Sequence, residues 1–114
     1  MSYYLITSYM DDHEKRHILE LFRKNSPLYI PATLTFEKQP GHMSFHLLHG
    51  DSQFSHFMFF VRKSRKLSEH KGYLYLSKNT LLVGSSTIRQ VYDQFKSSDD
   101  FLHIIVTEER MFGY

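Results

Sequence analysis

Apolar positions along this chain change period several times, and each change marks an element. Tyr3–Tyr9 is short and rich in β-prone residues, which predicts a strand. From about Asp12 to Lys24, Ile18, Leu21 and Phe22 recur at helical spacing, widened by Leu19. Asp11, with Glu14 three residues on, resembles a capping box for that helix. Asn25-Ser26-Pro27 stops it, since proline offers no amide and its ring clashes with the preceding turn. Pro31 permits a strand at Thr33–Glu37, Pro40-Gly41 makes a turn, and Met43–Leu48 is the next strand, closed by Gly50-Asp51.

Phe54–Val61 reads as the strongest strand. Its second half is apolar at successive positions, which places it centrally in a sheet or under a partner. Arg62–His70 is a polar, basic loop. Gly72–Leu76 and Thr80–Val83 form a hairpin around Ser77-Lys78-Asn79. Ser85 or Ser86 caps a second helix carrying Ile88, Val91, Tyr92 and Phe95 at i, i+3, i+4, i+7. Ser97–Asp100 breaks it, and Phe101–Thr107 is a final strand. The order is β-α-β-β-β-β-β-α-β, without repeats or linkers. Short turns between neighbouring strands favour an antiparallel meander, against which the two helices bury their stripes. The fold class expected is α+β: a two-layer sandwich, mainly an antiparallel meander sheet with two helices, in a single domain over residues 1–114.

Composition narrows the chemistry. Hydrophobic residues make up 41% of the 114, enough for a working core. No apolar run approaches the roughly 18–20 residues of a membrane helix, so no membrane partner is expected. Met1–Met10 lacks the charged start and long apolar stretch of a signal peptide. Cysteine is absent, which removes disulfides, thiolate metal sites and cysteine nucleophiles, and suits a reducing, cytoplasmic location. The net charge of +2 is unevenly spread. Arg62, Lys63, Arg65, Lys66, Lys71 and Lys78 stand against only Asp51 and Glu69 in the middle, while residues 79–114 are acidic on balance. The middle is therefore open to an anionic partner.

One short motif suggests catalysis. His13-Glu14-Lys15-Arg16-His17 is an H-E-x-x-H pentapeptide, and on a helix its imidazoles at i and i+4 can hold zinc while the glutamate activates a bound water. It resembles the zincin metallopeptidases over those five residues, which implies a zinc-dependent hydrolase with His13 and His17 as ligands and Glu14 as base. Lys15 and Arg16 work against a dication there, and Glu14 has a capping task instead. His13 falls on the polar arc of the helix, and no third ligand is assigned by sequence.

The other histidines are weaker candidates. On a strand, His42 and His46 share a face and His49 points the other way; a histidine pair with Asp51 could serve acid–base work. His103, inside an apolar run, is expected to be a hydrogen-bonded sheet residue. Neither a glycine-rich phosphate loop nor a Gly-x-Ser-x-Gly elbow is present, so no cofactor is expected and binding is favoured over catalysis.

The preferred binding surface combines Arg62, Lys63, Arg65, Lys66 and Lys71 with Tyr73 and Tyr75. The cations would contact phosphates, and the tyrosines, at i and i+2 on one sheet face, would stack on bases. Lys71-Gly72-Tyr73-Leu74-Tyr75-Leu76 resembles part of the RNA-recognition motif's third strand, with Leu74 in place of a small residue and Lys78 in place of the last aromatic. Residues 57–104 also resemble LytTR-type DNA-binding domains, although Phe101–Thr107 lacks that family's basic run. Both resemblances imply a DNA- or RNA-binding regulator. The alternative is a protein-interaction module: a homodimer or inhibitor of the phage or mobile-element accessory type. It would use an apolar face carrying Phe54, Phe57 and Phe59, or an open sheet edge.

Overall fold

The computed structural model describes residues 4–6, 11–25 and 27–109; Tyr3 and residues 7–9 of the expected first strand lie outside them. The elements run β1 (Tyr4–Ile6), α1 (Asp12–Asn25), β2 (Tyr29–Phe36), β3 (Gln39–His49), α2 (Phe54–Ser64), β4 (Tyr73–Ser77), β5 (Thr80–Leu81), α3 (Ile88–Phe95) and β6 (Leu102–Glu108). They form one mixed sheet in the order β1-β3-β2-β6-β4-β5. The β2–β3 hairpin runs from Tyr29↔His49 to Phe36↔Gln39, with an irregularity at Thr35/Phe36. At the centre, β2 and β6 are parallel, from Ala32↔Leu102 to Phe36↔Val106.

That central pair corrects the expected meander. Parallel neighbours cannot be joined by a tight turn, so everything from β3 to α3 serves as the crossover between them. The α+β class stands, but the sheet is mixed and the described helices number three rather than two.

The added helix is the segment expected to be the strongest strand. Phe54, Phe57, Met58 and Val61 stand at i, i+3, i+4, i+7, the spacing that lines one side of a helix. Phe54, Phe57 and Val61 are buried, Met58 is half-buried, and Phe59 is 63% exposed. The core they fill lies between α2, α3 and one sheet face, against Ile30, Ala32, Leu34, Leu48, Tyr75, Ile104 and Val106. Phe45 and Phe101 form a second cluster, edge-on at 5.9 Å, on the opposite face given the alternation along β3.

Local chemistry sets the other helix ends. Asp11 Oδ1 accepts the Glu14 amide at 2.8 Å, opening α1. Thr87, one or two residues beyond the serines expected from sequence, caps α3 in a reciprocal box with Gln90. Thr87→Ala should cost about 1 kcal/mol in a denaturant titration. In the β4–β5 hairpin, Lys78 and Asn79 both have positive φ, 49° and 61°, matching a type I′ turn. Lys66, just past α2, also has positive φ, at 52°. Lys66→Gly should raise stability by about 0.5–1 kcal/mol, read as a higher denaturation midpoint.

Candidate functional site

The basic middle of the chain folds around the C-terminal end of α2, and Arg62, Arg65 and Lys71 are engaged by the protein's own groups while Lys63 and Lys66 stand at the surface. Arg62 donates to Ser68 O at 2.8 Å and lies 5.4 Å from the Tyr73 ring centroid, tying down the loop that follows. Arg65 sits over the Phe36 ring at 5.3 Å and donates to Ser44 Oγ at 3.0 Å, fastening α2 to the β2–β3 hairpin. Lys63 lies 5.3 Å from the exposed Phe59 ring, and Lys66 is exposed at the helix end. Lys71 pairs with Glu108 at 2.8 Å, and Lys38 meets the same carboxylate at 2.6 Å. Hydrogen bonds from these two lysines hold the Glu108 carboxyl at about 2, and Glu108 in turn raises Lys71.

These residues border a cleft of about 290 Å³ between the β2–β3 turn, the end of β6 and the loop after α2. Its wall is apolar, from Phe36, Leu67, Tyr73 and Val106; Lys38 and Arg65 at its border are matched by Glu37 and Glu108. Charge is balanced within the cleft, so it offers no surplus of cations for a chain of phosphates. Tyr73 and Tyr75 do share a sheet face, but it is the core face. Tyr75 is 4% exposed, edge-on to Phe54, and its hydroxyl, pushed up to about 12 by burial, donates to Met58 O. It cannot stack on a base. Phe54 and Phe57, expected at a partner interface, are core residues for the same reason; of that trio only Phe59 reaches the surface.

A polar thread leads from the cleft to the sheet edge. Arg65 donates to Ser44 Oγ, and Ser44 Oγ lies 2.7 Å from His46 Nε2. His46 is 4% exposed, edge-on to Phe57 and Phe60, and its Nδ1 has no hydrogen-bond partner among the described residues. Burial, assisted by the Arg65 charge, lowers it to about 4, so the ring is neutral at pH 7.

The remaining histidines scatter. His13, Glu14 and His17 are exposed on α1, and among the described residues no three metal-ligating side chains converge. His42 is exposed. His49 accepts the Asp51 amide and, with Asp51 and His56, lines a shallow depression of about 390 Å³. His103 lies between Thr33 Oγ1, 2.6 Å from Nδ1, and Asp99 Oδ2, 2.8 Å from Nε2. This order of groups imitates a nucleophile, base and orienter. However, Thr33 is 1% exposed, so its hydroxyl meets no substrate and the relay fastens the 97–101 turn to the sheet.

Comparison with known proteins gives the family context. A family model described as "Autophagy protein Atg8 ubiquitin like" matches residues 13–113. Autophagy-related protein 8c of Arabidopsis thaliana is 34% identical over 68 residues, which is 60% of this chain and 57% of the plant protein. The matched stretch thus spans little more than half the length of the plant relatives. Autophagy-related protein 8 of Dictyostelium discoideum is 27% identical over 118 residues, 95% of each chain. The crystal structure of Trypanosoma brucei ATG8 shares the fold, with a TM-score of 0.74 and 19% identity over 95% of this chain and 99% of that one.

The family match overturns the nucleic-acid-binding regulator, and with it the likeness to the RNA-recognition motif and to LytTR domains and the DNA or RNA partner. The physical ground for the error is visible in the cations at Arg62, Arg65 and Lys71, already engaged by backbone, an aromatic ring or Glu108. The protein-interaction alternative agrees better with this family, although its relatives are autophagy proteins rather than accessories of mobile elements.

Proposed function

Because the chain belongs to the Atg8 family of ubiquitin-like autophagy proteins, we propose that it is a docking protein of autophagy that binds protein partners and the lipid phosphatidylethanolamine. The observation that carries this reading is the family match over residues 13–113, which takes in every described element except β1 and the first residue of α1. The surfaces suited to a protein partner are the long outer edge of β3 and the cleft beside Arg65 and Tyr73. Function here is recognition by a preformed surface.

Lipid binding corrects the expectation of no membrane. That expectation concerned a spanning segment, and among the described residues no helix is long and apolar enough to cross a bilayer. A chain can lie at a membrane surface without one. The proposed workplace is accordingly the cytoplasm and the autophagosome membrane.

The test is rescue in Dictyostelium discoideum cells that lack their own Atg8-family protein. Upon starvation the tagged chain should gather on membrane-associated puncta and restore degradation of cytosolic cargo. A chain that stays diffuse and restores nothing would remove the reading.

A further inference from the structure

The charged side chains that line the cleft, Glu37, Lys38, Arg65 and Glu108, are not equivalent. Lys38 and Glu108 are engaged with each other, and Lys71 completes that group. Arg65 and Glu37 stand apart from it. Among the described residues Arg65 meets no carboxylate. Its guanidinium donates to Ser44 Oγ and lies over the Phe36 ring, which leaves further N–H donors for a ligand. Glu37 meets no cation among the described residues; its Oε2 accepts the Thr107 hydroxyl. One cation and one anion, neither in an ion pair, therefore border the same cavity of about 290 Å³, beside an apolar wall.

From this arrangement we infer that the cleft is a reversible binding site for the zwitterionic headgroup of phosphatidylethanolamine. This assignment rests on the lipid half of the function proposed above. The headgroup phosphate sits on Arg65, whose planar fork of donors matches phosphate oxygens. The primary ammonium donates to the Glu37 carboxylate, and the glycerol carbons lie along Leu67 and Val106. A cleft of balanced charge is a poor host for a polyanion, but it complements a ligand that carries one charge of each sign.

The aromatic rings decide which ammonium is accepted. A quaternary ammonium is held by open aromatic faces. Here guanidinium groups already lie over both rings of the wall, Arg65 over Phe36 at 5.3 Å and Arg62 over Tyr73 at 5.4 Å. What the cleft offers an ammonium is a carboxylate, and that favours one with N–H groups to donate. The site thus prefers ethanolamine to choline. Its volume lies near the lower end of the range for small-molecule sites, about 300–1,000 Å³, which suits a headgroup with the acyl chains left outside.

The test uses the full chain and two soluble esters, followed by amide NMR. Glycerophosphoethanolamine should shift the resonances of residues 36–39, 65–67 and 106–108. Glycerophosphocholine should bind roughly fivefold or more weakly, the contribution of a lost charge-assisted hydrogen bond. Glu37→Gln, in an exposed turn, should erase that preference, and Arg65→Gln should weaken both esters by a similar factor. Lys63→Gln, at the surface outside the cleft, should leave both affinities unchanged. Retained amide dispersion shows that each variant is folded; should Arg65→Gln lose it, Glu37→Gln decides alone. A second arm measures co-flotation with vesicles of phosphatidylcholine and of phosphatidylcholine mixed equally with phosphatidylethanolamine. Both surfaces are net neutral, so general attraction to anionic lipid drops out. The unaltered chain should favour the mixed vesicles, and Glu37→Gln should not tell them apart.

Equal binding of the two esters, or of neither, would overturn the headgroup site. Displacement of glycerophosphoethanolamine by inorganic phosphate at equal concentration would make the cleft a plain anion site and overturn it too. A preference for the ethanolamine ester with none for the mixed vesicles would give the cleft to a soluble ester and overturn the lipid assignment. Rescue of starved Dictyostelium cells is scored separately. If the unaltered chain rescues and the ester experiment fails, the headgroup site falls while the docking function stands.

Discussion

Phe57→Ala is expected to cost about 3–5 kcal/mol of folding stability, while Phe59→Ala, two residues further on, should change it by less than about 0.5 kcal/mol. Both effects would be read from denaturant unfolding. Phe57 is fully buried, in contact with Phe54, Phe60 and His46, so truncation leaves a cavity between α2 and the sheet. Phe59 is exposed, and the alanine variant loses little beyond the ring that Lys63 covers. On a strand, residues 57 and 59 would share a face and respond alike. Equal losses in the two variants would therefore refute the helix.

Acid should weaken the fold through His46. Its folded value, lowered to about 4, lies below the ordinary histidine value of 6.5, so the unfolded chain takes up a proton that the folded chain refuses. Stability is complete above pH 6.5 and declines as the pH falls towards 4. Between pH 7 and 4.5 the loss should be roughly 2–3 kcal/mol. Glu108, held at about 2, adds its own loss only below the ordinary carboxylate range, so it leaves that window to His46. Urea midpoints at pH 7 and pH 4.5 should differ in the unaltered chain, and the difference should shrink markedly in His46→Leu. A pH dependence that survives the substitution would assign the effect elsewhere.

Much of the fold was legible locally. The α1 and α3 helices carry both an apolar stripe and a capping side chain, Asp11 or Thr87, so their starts are written within four residues. The β4–β5 turn is marked by Lys78-Asn79, whereas the β2–β3 turn is Glu37-Lys38 and Pro40-Gly41, expected to make it, lies inside β3. The α2 helix is different. Gln53 makes no side-chain cap and no acid stands in its first turn. Its first amides are satisfied from afar, Phe54 by Ser86 O and Ser55 by Gly84 O. An aromatic-rich run without a local start signal has strand propensity in its favour, and only the 3.6-residue spacing of its buried positions pointed to a helix.

The candidate site divided in the same way. Residue type identified Arg62, Arg65, Lys71 and Tyr73 as a cluster, and the structure does gather them at the end of α2. What residue type could not carry was their partners. Glu108 and Ser44 lie far from Lys71 and Arg65 along the chain, and Lys38 shares Glu108 from a different turn. Charge availability depends on neighbours in space, and a count along the sequence overstates it.

By itself, then, the amino-acid order determined those elements whose periodicity and capping groups lie within a few residues of one another, because such forces act over a turn or a hairpin. Tertiary structure alone decided the parallel β2–β6 pairing, the helical state of Phe54–Ser64 and the pairing of Lys71 with Glu108. Each of those depends on contact between groups distant in the chain. Their free energy exists only once the sheet has closed around the core.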